Sequence, residues 1–231
     1  MDPKKLFFDE RLTGFCVYCG ATPSTRDHVP SKVLLDEPYP SNLPVVLACE
    51  KCNNGFSKDE QYLACFVECV INGSTDQTLI KREKIQRNLC DNPALRSLID
   101  SSKRIDDKGN TYWIPDINRI MNVIVKLARG HAVFECSEPQ LDEPEYISLM
   151  PFAKMSDDQI ELFNTPPVER GWPEIGSRAF CQIVVADNQI FNLRNGWLVV
   201  QEERYRYLVS YSEGMKVRIV LSEYLACEVG W

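Results

Sequence analysis

A chain of 231 residues can hold one large domain or two small ones, and 44% hydrophobic with 26% charged residues excludes a disordered chain. A net charge of −7 excludes general basicity as a means of coating nucleic acid, although local charge still decides where a phosphate backbone can lie. The longest apolar stretch, 117–134, is broken by Lys126, Arg129 and His131, far from the roughly 18 to 20 unbroken apolar residues of a membrane span.

The opening Met1-Asp2-Pro3-Lys4-Lys5 has no apolar core followed by a small-residue cleavage site, so a cytoplasmic location is expected. Residues 1–15 read as a lead-in with one helical turn over 3–12. The segment 16–52 is rich in proline and turn formers and carries one short apolar run, Leu43 to Leu47. From Asn53, Phe56, Tyr62, Leu63, Phe66, Val67 and Val70 recur at spacings of three and four, which predicts a helix that stops at Asn72-Gly73-Ser74. Helices continue to about 135: Asp91-Asn92-Pro93 starts one, 101–110 reads as a polar loop, and Asp116 caps an apolar helix through Arg129. After Gly130, proline-rich loops at 139–144 and 166–173 bracket a strand at 146–151 and a short helix at 156–163. Alternating segments at 179–186, 189–193, 197–201, 204–211 and 216–221 are separated by turn signals and close on 224–231, an antiparallel meander. The expected fold is α+β: a small metal-bound module over 1–74, then an accessory region over 75–231 that is helical at first and rich in antiparallel strands at its end.

Ten cysteines in a chain of this length, without an export signal, point to metal before disulfides. Cys16-Val17-Tyr18-Cys19 and Cys49-Glu50-Lys51-Cys52 are two Cys-x-x-Cys knuckles, enough for a closed tetrahedron of four thiolates around zinc. The segment has few large apolar residues, so metal binding would stand in for a core. Cys65, Cys69, Cys90, Cys136, Cys181 and Cys227 read as small core residues. His131 reads as a cap on the carbonyls ending the apolar helix. Tyr205, Tyr207 and Tyr211 read as one core face of a strand, with Arg204 and Arg206 on the solvated face. Between Lys81 and Arg129, eleven Lys or Arg stand against six Asp or Glu, which suits either a nucleic-acid surface or a solvated helix face.

Between the knuckles lies Asp27-His28-Val29-Pro30, then Asn42-Leu43, and Cys52 is followed by Asn53. In this order and setting the chain resembles the HNH endonucleases with the ββα-metal fold and paired zinc knuckles, over about residues 15–62. The resemblance implies hydrolysis of phosphodiester bonds, in DNA before RNA, with Cys16, Cys19, Cys49 and Cys52 on a structural Zn²⁺. It implies further that Asp27 and Asn53 hold a catalytic Mg²⁺ or Mn²⁺, since a hard divalent ion takes carboxylate and amide oxygens. Asn53 is favoured over Asn54 because it follows the second knuckle directly. His28 would be the general base, its ordinary pKa lying near neutrality. Asn42 would fix the loop that orients it. Ser57 and Lys58 stand one turn after Asn53, where some members carry a phosphate-contacting histidine. The alternative is a zinc-stabilised module that binds nucleic acid or protein without turnover. Residues 75–231 carry no readable motif, and target selection, homodimer formation or a regulatory protein partner are the roles open to them.

Overall fold

The computed structural model describes residues 14–41, 43–166, 192–194, 196–211 and 214–231. The fold is mixed α+β, with helices and antiparallel sheets. In chain order the elements are β1 (Thr25–His28), β2 (Val45–Ala48), α1 (Glu50–Asn72), α2 (Glu83–Asp91), α3 (Pro93–Asp100), β3 (Lys103–Ile105), β4 (Thr111–Trp113), α4 (Ile117–Cys136), β5 (Tyr146–Pro151), α5 (Asp157–Asn164), β6 (Asn192–Arg194), β7 (Trp197–Gln201), β8 (Tyr205–Ser210), β9 (Lys216–Leu221) and β10 (Leu225–Gly230). Among the described residues no helix is long and apolar enough to cross a membrane. The chain divides into two compact units, one of Met1–Gly55 with Ile124–Trp231 and one of Phe56–Val123.

The smaller unit is built by apolar periodicity. Tyr62, Leu63, Phe66 and Val67 of α1, Ile85 and Leu89 of α2, and Leu95 and Ile99 of α3 are buried together with Ile80. Each such burial contributes roughly 1.5–3 kcal/mol. Asn92 caps α3 by accepting from Leu95 N at 3.0 Å, with Pro93 in the first turn, as its sequence predicts. The basic stretch is only partly a solvated face, because Arg82 is buried against Glu68 at 3.8 Å. The segment expected as a polar loop at 101–110 is instead a hairpin of two three-residue strands, β3 and β4, around a turn organised by Asp106, which accepts from the amides of Lys108 and Asn110. Strands so short carry no readable alternation, and the polar tip dominates the sequence signal.

In the larger unit, β1 and β2 form an antiparallel hairpin that pairs Asp27 with Val46 and His28 with Val45. The C-terminal strands form one antiparallel sheet in the order β5-β10-β9-β8-β7-β6, the expected meander with β5 added beside β10. The strand expected at 179–186 and the helical turn at 3–12 lie outside the described residues. The pleat sorts the sheet's side chains into two faces. Tyr205, Tyr207, Ile219 and Cys227 share one face and are buried. On it, His131 of α4 shares a hydrogen bond with the Tyr205 hydroxyl at 2.8 Å and stacks on Tyr207 at 3.6 Å, while Tyr207 donates to the buried Glu135 carboxylate at 2.5 Å. The other face carries Trp197, Leu208 and Val220, packed against Phe152 and Phe163 at α5. Ser156 and Gln159 close a capping box on α5.

The apolar helix does not end at Arg129 but continues through Gly130 to Cys136. Gly130 is a point of close approach and not a stop: a Cβ there would lie 2.6 Å from Val29 Cγ2. His131 is therefore in the core, and caps nothing. Tyr211 lies beyond β8 and is exposed, unlike Tyr205 and Tyr207. Arg206 is not simply solvated, since it stacks on Trp197 at 4.3 Å and pairs with Glu223 at 2.8 Å. Arg204 pairs with Asp36, whose backbone N–H and carbonyl are both bonded to the Gln201 side chain. Of the cysteines expected in cores, Cys65, Cys69 and Cys227 are buried, Cys136 is partly so and Cys90 is exposed; Cys181 lies outside the described residues. Burial pushes the thiols of Cys65 and Cys69 up to about 12, so both are inert near neutral pH.

The close approach at Gly130 can be tested. Alanine is favoured over glycine in a helix by roughly 0.8–1 kcal/mol, but forcing a methyl against the stiff Val29 side chain costs about 1–3 kcal/mol. Gly130→Ala is expected to lower stability by about 1 kcal/mol in denaturant unfolding, and Val29→Ala in the same chain should recover part of that loss. A Gly130→Ala protein more stable than wild type would show that the contact is loose.

Candidate functional site

The two knuckles converge. The sulfur atoms of Cys16, Cys19, Cys49 and Cys52 all lie within 4.8 Å of one another, and Cys19 Sγ stands 3.7 Å from Cys49 Sγ. A tetrahedron with Zn–S bonds of about 2.3 Å has sulfur atoms about 3.8 Å apart, so the spacing suits a structural metal such as zinc. The first knuckle turns tightly, with Gly20 N donating to Cys16 O at 2.8 Å and Gly20 in the left-handed region at φ 75°. The second opens α1, where Cys52 N points at Cys49 Sγ from 3.4 Å and Asn53 N bonds Cys49 O at 3.0 Å. The Cys52 amide is the chief reason the Cys49 thiol is lowered to about 7, whereas burial raises Cys16 and Cys52. Metal binding would deprotonate all four.

Neighbours of the cysteines tie the knuckles to the hairpin and the hairpin to the helix. Val17 N donates to Leu47 O at 3.0 Å and Ser24 N to Ala48 O at 3.0 Å, extending the β1–β2 ladder toward the first knuckle. Ser24 Oγ accepts from Glu50 N at 3.1 Å at the start of α1.

Asp27 is buried in the middle of β1. Its Oδ2 accepts the Tyr18 hydroxyl at 2.8 Å and pairs with Lys126 Nζ at 2.7 Å. His28, next along the strand, is turned to the opposite side of the pleat and is partly exposed, with its Nδ1 edge enclosed. Asn53 donates from Nδ2 to Thr25 Oγ1 at 3.1 Å and to Arg26 O at 3.3 Å, which binds the start of α1 to β1 beside Asp27. Among the described residues no hydrogen bond joins Asp27 to Asn53. Ser57 and Lys58 are exposed one turn later on α1, within the segment Phe56–Val123. Asn42 lies outside the described residues.

Sequence reasoning missed Tyr18 and Lys126, which bond Asp27, and Ser31, which accepts from Lys126. Lys126 did carry a signal: it is a single charge inside Val123-Ile124-Val125-Lys126-Leu127-Ala128, where a solvated lysine has no place. Compared with known protein families, curated proteins and solved structures, the chain matches none.

The metal site is directly measurable. Protein purified without added metal is expected to contain about one zinc per chain by elemental analysis, as four thiolates on one ion require. Cys16→Ser should lower the yield of folded protein, because here metal binding energy is folding energy. Zinc should also be lost as pH falls, since protons compete with the ion for the thiolates. Zinc-free protein with unchanged unfolding behaviour would remove the metal from the account.

Proposed function

We propose that the chain is a metal-dependent endonuclease of the HNH type, hydrolysing phosphodiester bonds in DNA. The observation that carries this reading is the tie between Asn53, at the head of a helix, and the β1 strand that bears Asp27 and His28, all clipped by one four-cysteine centre. Two hard oxygen donors fit the implied ion. Asn53 spends its amide nitrogen on β1, which leaves Oδ1 to accept, and Asp27 spends only Oδ2 on Tyr18 and Lys126. A Mg²⁺ or Mn²⁺ ion there would supply positive charge to the phosphate and to the leaving oxygen.

The protein's own groups would do the rest. His28, as neutral imidazole, takes the proton from the attacking water at a ring nitrogen, and its place on β1 opposite the pleat from Asp27 keeps base and ligand distinct. Arg26, Lys32 and Lys51 are exposed in the same segment and suit a phosphate backbone. Ser57 and Lys58 are proposed to contact phosphate further along α1. A cytoplasmic setting, and a homodimer or regulatory partner engaging 75–231, belong to the same reading.

A second reading is favoured by one observation. Asp27 has a structural duty in its buried pair with Lys126, so it would be kept in a zinc-stabilised binding module with no turnover. Incubation with supercoiled plasmid and Mg²⁺ or Mn²⁺, with an EDTA control, separates the two. Metal-dependent nicking is expected, and His28→Ala should slow it by about 10²–10⁴ with zinc content and DNA retention unchanged. If His28→Ala cuts at the wild-type rate, or wild type does not cut, the binding module becomes the account.

A further inference from the structure

The oxygen of Asp27 that Lys126 holds has a consequence for which ion the carboxylate accepts. Lys126 is 1% exposed, pairs with Asp27 Oδ2 at 2.7 Å, donates to Ser31 Oγ at 2.8 Å, and lies 5.8 Å from the centre of the Tyr18 ring. Tyr18 in turn donates to the same Oδ2 at 2.8 Å. Among the described residues no hydrogen bond falls on Oδ1. A buried ammonium is costly unless it is paired and hydrogen-bonded, so Lys126 is anchored where it stands.

We propose that Lys126 is a positioning and specificity-determining residue: together with the Tyr18 hydroxyl it saturates the two lone pairs of Asp27 Oδ2, so the carboxylate offers a bound cation one oxygen only. This rests on the reading of Asp27 as a metal ligand. A small octahedral ion such as Mg²⁺ is satisfied by single carboxylate oxygens and keeps several waters, whereas Ca²⁺ gathers six to eight oxygens and often takes carboxylates through both. Lys126 thereby biases the site against Ca²⁺. The ammonium also repels any divalent ion, but that effect is shared by both ions, so the ratio of their affinities isolates the number of oxygens offered.

The test is calorimetric titration of zinc-loaded, full-length protein with Mg²⁺ and with Ca²⁺ separately. The proteins compared are wild type, Lys126→Met, Tyr18→Phe and Asp27→Asn. Lys126→Met should raise the Ca²⁺-to-Mg²⁺ affinity ratio by about tenfold, and Tyr18→Phe, which frees Oδ2 of its other donor, by about threefold. An unchanged ratio in folded, zinc-loaded Lys126→Met overturns the proposal. Should that variant lose its fold, an unchanged ratio in Tyr18→Phe overturns it equally. Asp27→Asn separates the two claims. Loss of Mg²⁺ binding there, with the ratio unmoved in the other variants, overturns the role of Lys126 and leaves Asp27 as a ligand. Undiminished Mg²⁺ binding in Asp27→Asn overturns both.

Discussion

The larger unit depends on a charged group placed where water does not reach. Removing one partner of a buried pair strands the other charge, so alternative packings of the helix that carries Lys126 are penalised far more than the native one is stabilised. The same helix places Arg129 against the Tyr18 and Asp142 carbonyls, His131 on Tyr205 and Glu135 on Tyr207. One side of α4 thus meets the knuckle-bearing segment and another meets the sheet, with polar groups in matching positions on each. A slip of this helix by one residue would leave several buried polar groups without partners at once. Apolar packing alone tolerates such slips better.

The knuckle segment shows the complementary economy. Between Cys16 and Cys52 the buried apolar residues include Val17, Tyr18, Val29, Leu34, Leu35, Leu43, Val46 and Ala48, a small core for a hairpin and a helix start. A metal held by the four converging sulfur atoms would supply what that small core lacks. The polar groups on which catalysis would depend are then placed by backbone elements held from both ends, with Asp27 at the centre of a paired strand and Asn53 bonded back to it.

What was legible in the sequence is what local chemistry writes plainly. The two knuckles, the Asn92 cap, the strand at Tyr146–Pro151 and the alternation of β7 to β10 are each decided by residues next to one another. What was not legible depends on distant partners. Gly130 resembles a helix stop until Val29 is seen against it, and His131 resembles a cap until Tyr205 and Tyr207 are seen around it. The hairpin at Lys103–Trp113 is too short for periodicity to register, and a turn built by Asp106 reads as loop. In the candidate site the four cysteines were readable from their paired spacing. The lysine filling one oxygen of Asp27 arrives from a helix nearly a hundred positions later, and no local pattern announces it.

The clamp at Asp36 bears on the order in which this protein can assemble. Its backbone is bonded to the side chain of Gln201 and its carboxylate to Arg204, so this loop finds its partners only when strands more than 160 residues further along are in place. Contacts across such separations are slow to form, because the closure entropy of the intervening chain is lost before any of them contributes. Residues 56–123, by contrast, find their neighbours close by in sequence. On a ribosome the inserted segment would therefore mature first. The segments that flank it in sequence would stay open until the strands that complete their contacts emerged.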